Sequence, residues 1–231
     1  MSRRLVVILV TFVALIGAGG IAGYYSYEAT HYAKTDDARV AADTVTVTPE
    51  IPGKLVTWLV QEGDLVKAGQ VLGRQDLEAS LTSSVLNPQA LGAAAGVMAQ
   101  KAEIKAPIDG QVIQSKAVVG QMATPGMALA IIADTEHLYI SANIKETVIE
   151  KIKPGQVVDV RLDAFPGRQF SGRVAGTGRA TTAVFSLLPA QNASGNYTKV
   201  TQVIPVKIQL TDAGDVELIP GMNATVRIHF R

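Results

Sequence analysis

The chain has 231 residues, with 21 Lys and Arg against 20 Asp and Glu, three histidines and no cysteine. A net charge of +1 with no basic run longer than a pair excludes a nucleic-acid footprint, and the lack of cysteine excludes disulfides, thiolate catalysis and acylation through sulfur. Hydrophobic residues are 48% of the chain but aromatics only 5%, which points to an aliphatic, strand-rich core without a large aromatic pocket. His31, His137 and His229 stand far apart with no metal-ligand spacing, so no metal, cofactor or catalytic group is expected.

Arg3 and Arg4 precede an uncharged run of 18 residues from Leu5 to Ala22. At about 1.5 Å per residue the run spans about 27 Å, and Gly23, Tyr24 and Tyr25 bring it to about 31 Å, the thickness of a bilayer core. The arginines place the N-terminus in the cytoplasm, and the tyrosine pair suits the outer interface. A cleaved signal peptide is the competing reading, but its apolar region is usually about 7 to 15 residues and no clear cleavage site follows here. Residues 1–25 are therefore expected to be a cytoplasmic tip and a retained single-pass anchor, with the rest periplasmic or extracellular.

Residues 26–48 read as a tether and β lead-in: 26–36 polar, then a β run from Val40 to Thr48. Asp36 and Asp37 stand together with no second acid or base near them in sequence, so they read as a solvated turn rather than a catalytic pair.

From Ile51 to Asp76 short apolar stretches alternate with glycines at 53, 63 and 69. The spacing returns at Gly110, Gly120 and Gly126, each 57 residues after its counterpart (110 against 53, 120 against 63, 126 against 69). Apolar positions follow the same offset: Leu55 falls on Val112, Val56 on Ile113, Val66 on Ala123 and Leu72 on Leu129. Two copies of one β unit are implied. Glu62-Gly63-Asp64 and Ala68-Gly69-Gln70 are turn signals. Neither half has enough strands to cover its own face, so residues 49–76 and 104–134 must pack as one sandwich.

Between the halves, residues 77–103 change to a helix-favouring composition broken by Asn87-Pro88, which reads as a short helical hairpin or a loop. Its first arm of ten residues reaches about 15 Å. From residue 135 to 231, LYISANI, QVVDVRL, RQFSGRVAG, KVTQVIPVKIQL and NATVRIHF are five strand candidates, with KETVIEKI as a helical turn. Short strands between Pro/Gly turns suggest a small closed barrel, interrupted by a long loop at 176–199. In that loop Phe185, Leu187, Leu188 and Tyr197 put large apolar groups into a polar, glycine-rich setting. They either plug the end of the barrel or form a contact surface, with Asn192 and Asn196 shaping the turns.

The paired β halves resemble the biotinyl/lipoyl fold. True carrier domains of that fold present a lysine between the halves, but no Asp-Lys-Ala or Met-Lys-Met sequence occurs here. Arg3-Arg4 with one anchor, TDDARV, the split halves, the helical insertion and a terminal barrel together resemble the membrane-fusion, or periplasmic adaptor, proteins of the EmrA/HlyD type. The segment AVFSLLPAQNASGNYTKVTQVIPVKI, Ala183 to Ile208, carries the closest likeness, to the EmrA branch. The resemblance implies a mainly β chain: an N-terminal transmembrane helix, a lipoyl-like sandwich with a short helical insertion, and a small C-terminal barrel. It also implies a non-enzymatic adaptor subunit of a multidrug or small-molecule efflux system in the inner membrane. Such a subunit couples an inner-membrane exporter, of major-facilitator type with an ABC exporter as the alternative, to export across the envelope, as a homo-oligomer. A scaffold or binding protein without a transporter, and a lipoyl or biotin carrier subunit, are the competing readings. Arg39 stands where the family's TDDA motif usually continues with an aromatic residue, and Val203 where a basic residue is usual. The insertion is a stub where the family has a long coiled-coil hairpin.

Overall fold

The structure is a computed structural model of the chain and describes residues 30–76, 96–185, 201–212 and 216–230, preceded by 12, 15–21, 23, 24, 27 and 28. In chain order, β1 (Tyr32–Ala41) is followed by β2 (Thr44–Val47), β3 (Gly53–Trp58), β4 (Leu65–Val66), β5 (Val71–Asp76), β6 (Glu103–Lys105), β7 (Gly110–Ser115), β8 (Met122–Ala123) and β9 (Ala130–Ala133). Then come β10 (Tyr139–Lys145), β11 (Val157–Leu162), β12 (Phe170–Thr177), β13 (Val203–Asp212) and β14 (Asn223–His229). Contacts divide the chain into one unit of Ala42–Leu138 and another of Met1–Ala41 with Tyr139–Arg231.

The first unit is a sandwich of two four-stranded sheets, ordered β2-β9-β7-β4 and β6-β5-β3-β8. Moving each strand by the 57-residue offset turns the first order into the second, so each sheet takes two strands from each copy. The backbone repeats the exchange. The Gly63 amide donates to the Val112 carbonyl at 2.8 Å while its counterpart, the Gly120 amide, donates to Leu55 at 2.7 Å. Trp58 and Ser115 occupy the same position in the two copies and meet each other, indole Nε1 donating to Oγ at 3.0 Å. They lie where the copies cross.

The core also follows the repeat, with Val47 and Ile104, Leu55 and Val112, Val66 and Ala123, and Leu72 and Leu129 all buried as equivalent pairs. One pair differs. Gln75 is buried where the second copy has Ile132, and its amide donates to the carbonyls of Gly53 and Ala123 at 3.2 and 3.1 Å.

The glycines of the repeat serve two purposes. Gly63, Gly69, Gly120 and Gly126 turn at φ between 81° and 96°, open to glycine without a Cβ clash. Gly53 and Gly110 instead allow close approach. A Cβ at Gly53 would sit 2.8 Å from the Asp76 carbonyl oxygen, and one at Gly110 would press into that of Ala133.

β5 and β6 pair antiparallel and form the stem from which residues 77–95 depart. Residues 96–101 are helical, and the rest of the expected hairpin or loop, 77–95, lies outside the described residues. Across the stem Arg74 Nη2 donates to Glu103 Oε1 at 2.8 Å, with Lys105 Nζ 3.2 Å from the other oxygen. Lys105 first, then Arg74, holds the Glu103 carboxyl below its usual range by hydrogen bonding to the charged form. A depressed carboxylate stabilises the fold above its unfolded pKa, and this support is lost as pH falls through the lowered one.

The second unit is a closed six-stranded barrel, ordered β1-β10-β13-β12-β11-β14 and antiparallel throughout. All five expected strands are present, KETVIEKI is a 3-10 turn at Glu146–Lys151, and the sixth strand is β1. The segment 32–41, read from sequence as tether and lead-in, is thus part of the barrel wall, while β2 belongs to the sandwich. Aspartates side by side break the in–out alternation of a strand, which hides β1 from a sequence reading. The register shift between Thr35 and Ala38 is a bulge that puts Asp36 and Asp37 both outside. Asp37 Oδ2 then accepts from Asn143 Nδ2 at 3.0 Å, tying β1 to β10. Val40, Ile140, Ala142, Val158, Val160, Val206, Ile208, Val226 and Ile228 fill the interior, all at 1% exposure or less. Side chains close a barrel this narrow.

Gly110→Ala is expected to destabilise the sandwich by about 3 kcal/mol, because the new methyl must move a ladder carbonyl. Gly63→Ala, with open space at its Cβ position, should cost only about 1 to 2 kcal/mol for its left-handed backbone. Urea unfolding of the two variants measures the order.

Candidate functional site

The barrel has two ends. The start of β1, the end of β14 and the start of β11 are brought together by the pairs Tyr32↔His229 and Val158↔Ile228. The pairs Lys145↔Val203 and Thr177↔Val206 add the end of β10, the start of β13 and the end of β12. This end therefore receives the chain from the N-terminal segment and carries both stubs of the loop between β12 and β13. At the other end Ala41 and Tyr139, where the chain leaves for and returns from the sandwich, are register partners.

The sequence-predicted site residues fall unevenly on this frame. Arg3, Arg4, Leu5, Ala22 and Tyr25 lie outside the described residues, and Tyr24 is exposed and helical. Among the described residues no helix is long and apolar enough to cross a membrane. Leu187, Leu188, Asn192, Asn196 and Tyr197 are also outside them. Phe185 ends a 3-10 turn, Thr182–Phe185, that follows β12 at the N-terminal end of the barrel, and its neighbour Val184 is 70% exposed. The topology therefore brings the two stubs of the β12–β13 loop and the N-terminal entry of the chain to one end of the barrel, which the sequence does not reveal.

That end also holds groups the sequence did not single out. Gln156, 6% exposed, donates through Nε2 to the Lys151 carbonyl at 2.9 Å and accepts from the Lys153 amide at 3.0 Å. One buried amide thus fixes the backbone on both sides of buried Ile152 and turns two lysines outward. Lys151 Nζ stands 5.4 Å from the Phe230 ring centre. Thr30, Lys151, Lys153, Gln156 and Phe230 line a cleft of about 680 Å³ here. On the adjoining wall His229 Nε2 meets Asp159 Oδ2 at 2.8 Å, His229 packs edge-on against Tyr32, and the Arg227 guanidinium lies 3.8 Å from the Tyr32 ring centre. These partners are up to about 200 residues apart, and nothing local announces them. His31 and His137 are bonded elsewhere, to the Tyr27 carbonyl and to Asp134.

The sandwich shows a different kind of surface. Val56 is 50% exposed in a bulge of β3, and Met122 of the neighbouring β8 is 57% exposed. The turn that leads into β8 exposes Val118 and Val119 where the first copy has Gln61 and Glu62. Among the described residues nothing in either unit gathers nucleophile, base and acid.

The domain family described as "RND MFP, barrel-sandwich hybrid domain" matches residues 43–135, and "CusB-like, beta-barrel domain" matches residues 137–230. YhbJ of Bacillus subtilis (strain 168), named as an efflux system component, is 38% identical over 201 residues, covering 87% of this chain and 81% of that protein. The chain belongs to the membrane fusion protein family. The colistin resistance protein EmrA of Acinetobacter baumannii is 36% identical over 130 residues, covering 56% of this chain but 37% of its own length. The chain thus spans most of YhbJ and little more than a third of that EmrA. In fold, the solved periplasmic adaptor protein EmrA superimposes with a TM-score of 0.53 at 16% identity, over 87% of this chain and 99% of that one. The solved adaptor thus shares the fold of this chain.

Gln156→Leu keeps the bulk of the side chain but leaves the Lys153 amide and the Lys151 carbonyl without their partner. The expected loss is about 2 kcal/mol, read as a lower thermal midpoint of the purified full chain.

Proposed function

We propose that the chain is the membrane-anchored adaptor subunit of a multidrug or small-molecule efflux system. It couples an inner-membrane exporter of major-facilitator type to export across the envelope. The observation that carries this reading is the 38% identity to an efflux component across both units, 87% of this chain. Relatives named as multidrug export and colistin resistance proteins agree in kind. The major-facilitator partner rests on the EmrA-like segment Ala183 to Ile208.

In this reading Leu5 to Ala22, behind Arg3 and Arg4, holds the chain in the cytoplasmic membrane with both β units outside. Phe185, Leu187, Leu188 and Tyr197 contact the exporter, with Asn192 and Asn196 shaping the loop. Support comes from the loop's two stubs, which lie at the barrel end where β1 starts. The exposed apolar group of Val56, Val118, Val119 and Met122 supports assembly with further copies through the sandwich. With a short insertion, the subunit reaches an outer-membrane channel, if its envelope has one, by means other than a long hairpin tip.

Affinity purification of the tagged full chain from membranes in mild detergent tests the proposal. A many-helix exporter should co-purify, and Phe185→Ser combined with Leu188→Ser should reduce its recovery about ten-fold or more while leaving the thermal midpoint unchanged. A double variant that unfolds makes these residues a barrel plug rather than an interface. Full recovery with native stability removes them from the interface.

A further inference from the structure

We propose that the cleft at the N-terminal end of the barrel, walled by Lys151, Lys153 and Phe230, holds the phosphate-bearing headgroup of an anionic phospholipid from the outer leaflet of the cytoplasmic membrane. The proposal rests on the reading of residues 5–22 as a membrane span.

The chemistry of the cleft suits a phosphate. Two lysines line it, and among the described residues neither is in an ion pair; the Lys151 ammonium lies over Phe230 at the cleft wall. Glu150 on the same wall leaves one net positive charge. The lysines are held in place, because buried Gln156 bonds the carbonyl of Lys151 and the amide of Lys153. Phe230, half-buried, offers an aromatic edge of the kind that settles at a membrane interface.

Position selects the source of the phosphate. Thr30 lines the cleft and stands eight residues beyond Ala22 (30 against 22). Residues 27, 28, 30 and 31 are helical, and the His31 ring bonds the Tyr27 carbonyl four residues back at 2.9 Å. At about 1.5 Å per residue, Thr30 would stand about 8 Å beyond Tyr25 and about 12 Å beyond Ala22, the two ends of the apolar span, against a headgroup layer of about 6 Å. A lysine side chain of about 6 Å closes that gap. The cleft at the opposite end of the barrel, lined by Arg161 and Arg168, is also cationic but lies beyond the length of β1. It separates charge from position.

The test is native mass spectrometry of the full chain purified in mild detergent, offered phosphatidylglycerol or phosphatidylcholine. Phosphatidylglycerol is expected to be retained preferentially and to survive millimolar inorganic phosphate. Lys151→Glu with Lys153→Glu should reduce its retention about 25-fold or more, about five-fold for each lysine near an anionic surface. The milder Lys153→Gln should reduce it about five-fold, which covers the case in which the double reversal does not fold. Arg168→Glu should leave it unchanged. Equal retention of the two lipids, native retention by the lysine variants, an equal loss with Arg168→Glu, or displacement by inorganic phosphate overturns the proposal. A chain recovered from the aqueous fraction and beginning after Tyr25 overturns the anchor reading and the lipid source with it. Lipid retention without a co-purifying exporter counts against the adaptor reading alone and supports this site.

Discussion

The exchange of backbone hydrogen bonds between the two 57-residue copies is the constraint on which the sandwich depends. Gly63 donates to Val112 and Gly120 to Leu55, so the turn after β3 is completed by β7 and the turn after β7 by β3. Each sheet is likewise half one copy and half the other. Residues 49–76 alone would expose Leu55, Val66 and Leu72, and a few strands without a covered face are at best marginal in water. The copies fold together or not at all.

That interlock frees the segment between them. Residues 77–95 leave from a stem already closed by β5–β6 pairing, by the Arg74–Glu103 ion pair and by the Gln75 amide donating to Ala102 at 2.9 Å. Loop-closure entropy grows only with the logarithm of length, so the insertion can be short or long without altering the sandwich. The barrel treats the whole sandwich in the same way: Ala41 and Tyr139 are paired, and everything between them is an excursion from one barrel hairpin.

How much of this was legible in the sequence follows from how local each signal is. Turn glycines and the alternation of QVVDVRL or NATVRIHF are read within a few residues, and the matching strands are present. The repeat was legible because the copies preserved both the turns of Gly63 and Gly120 and the close approaches of Gly53 and Gly110. β1 was not legible as a barrel strand, because its bulge sets Asp36 and Asp37 on one face and its partners, β10 and β14, lie about 100 and 190 residues on. The cleft of Lys151, Lys153 and Phe230 was hidden for the same reason. Lys153-Pro154-Gly155 reads only as a helix stop until barrel closure brings Thr30 and Phe230 beside it. The apolar pattern of Phe185 to Tyr197 was visible, but which end of the barrel it serves required the register of β12 and β13.

In the proposed reading the exporter docks at the barrel end where β1 starts and the N-terminal segment enters. Site-specific photocrosslinking in native membranes tests this most directly, with the crosslinker at exposed Val184 on that end and at Pro166 in the loop between β11 and β12 on the other. The account predicts that Val184 captures a many-helix membrane transporter and Pro166 does not. Capture of the transporter from Pro166 with none from Val184 would contradict it.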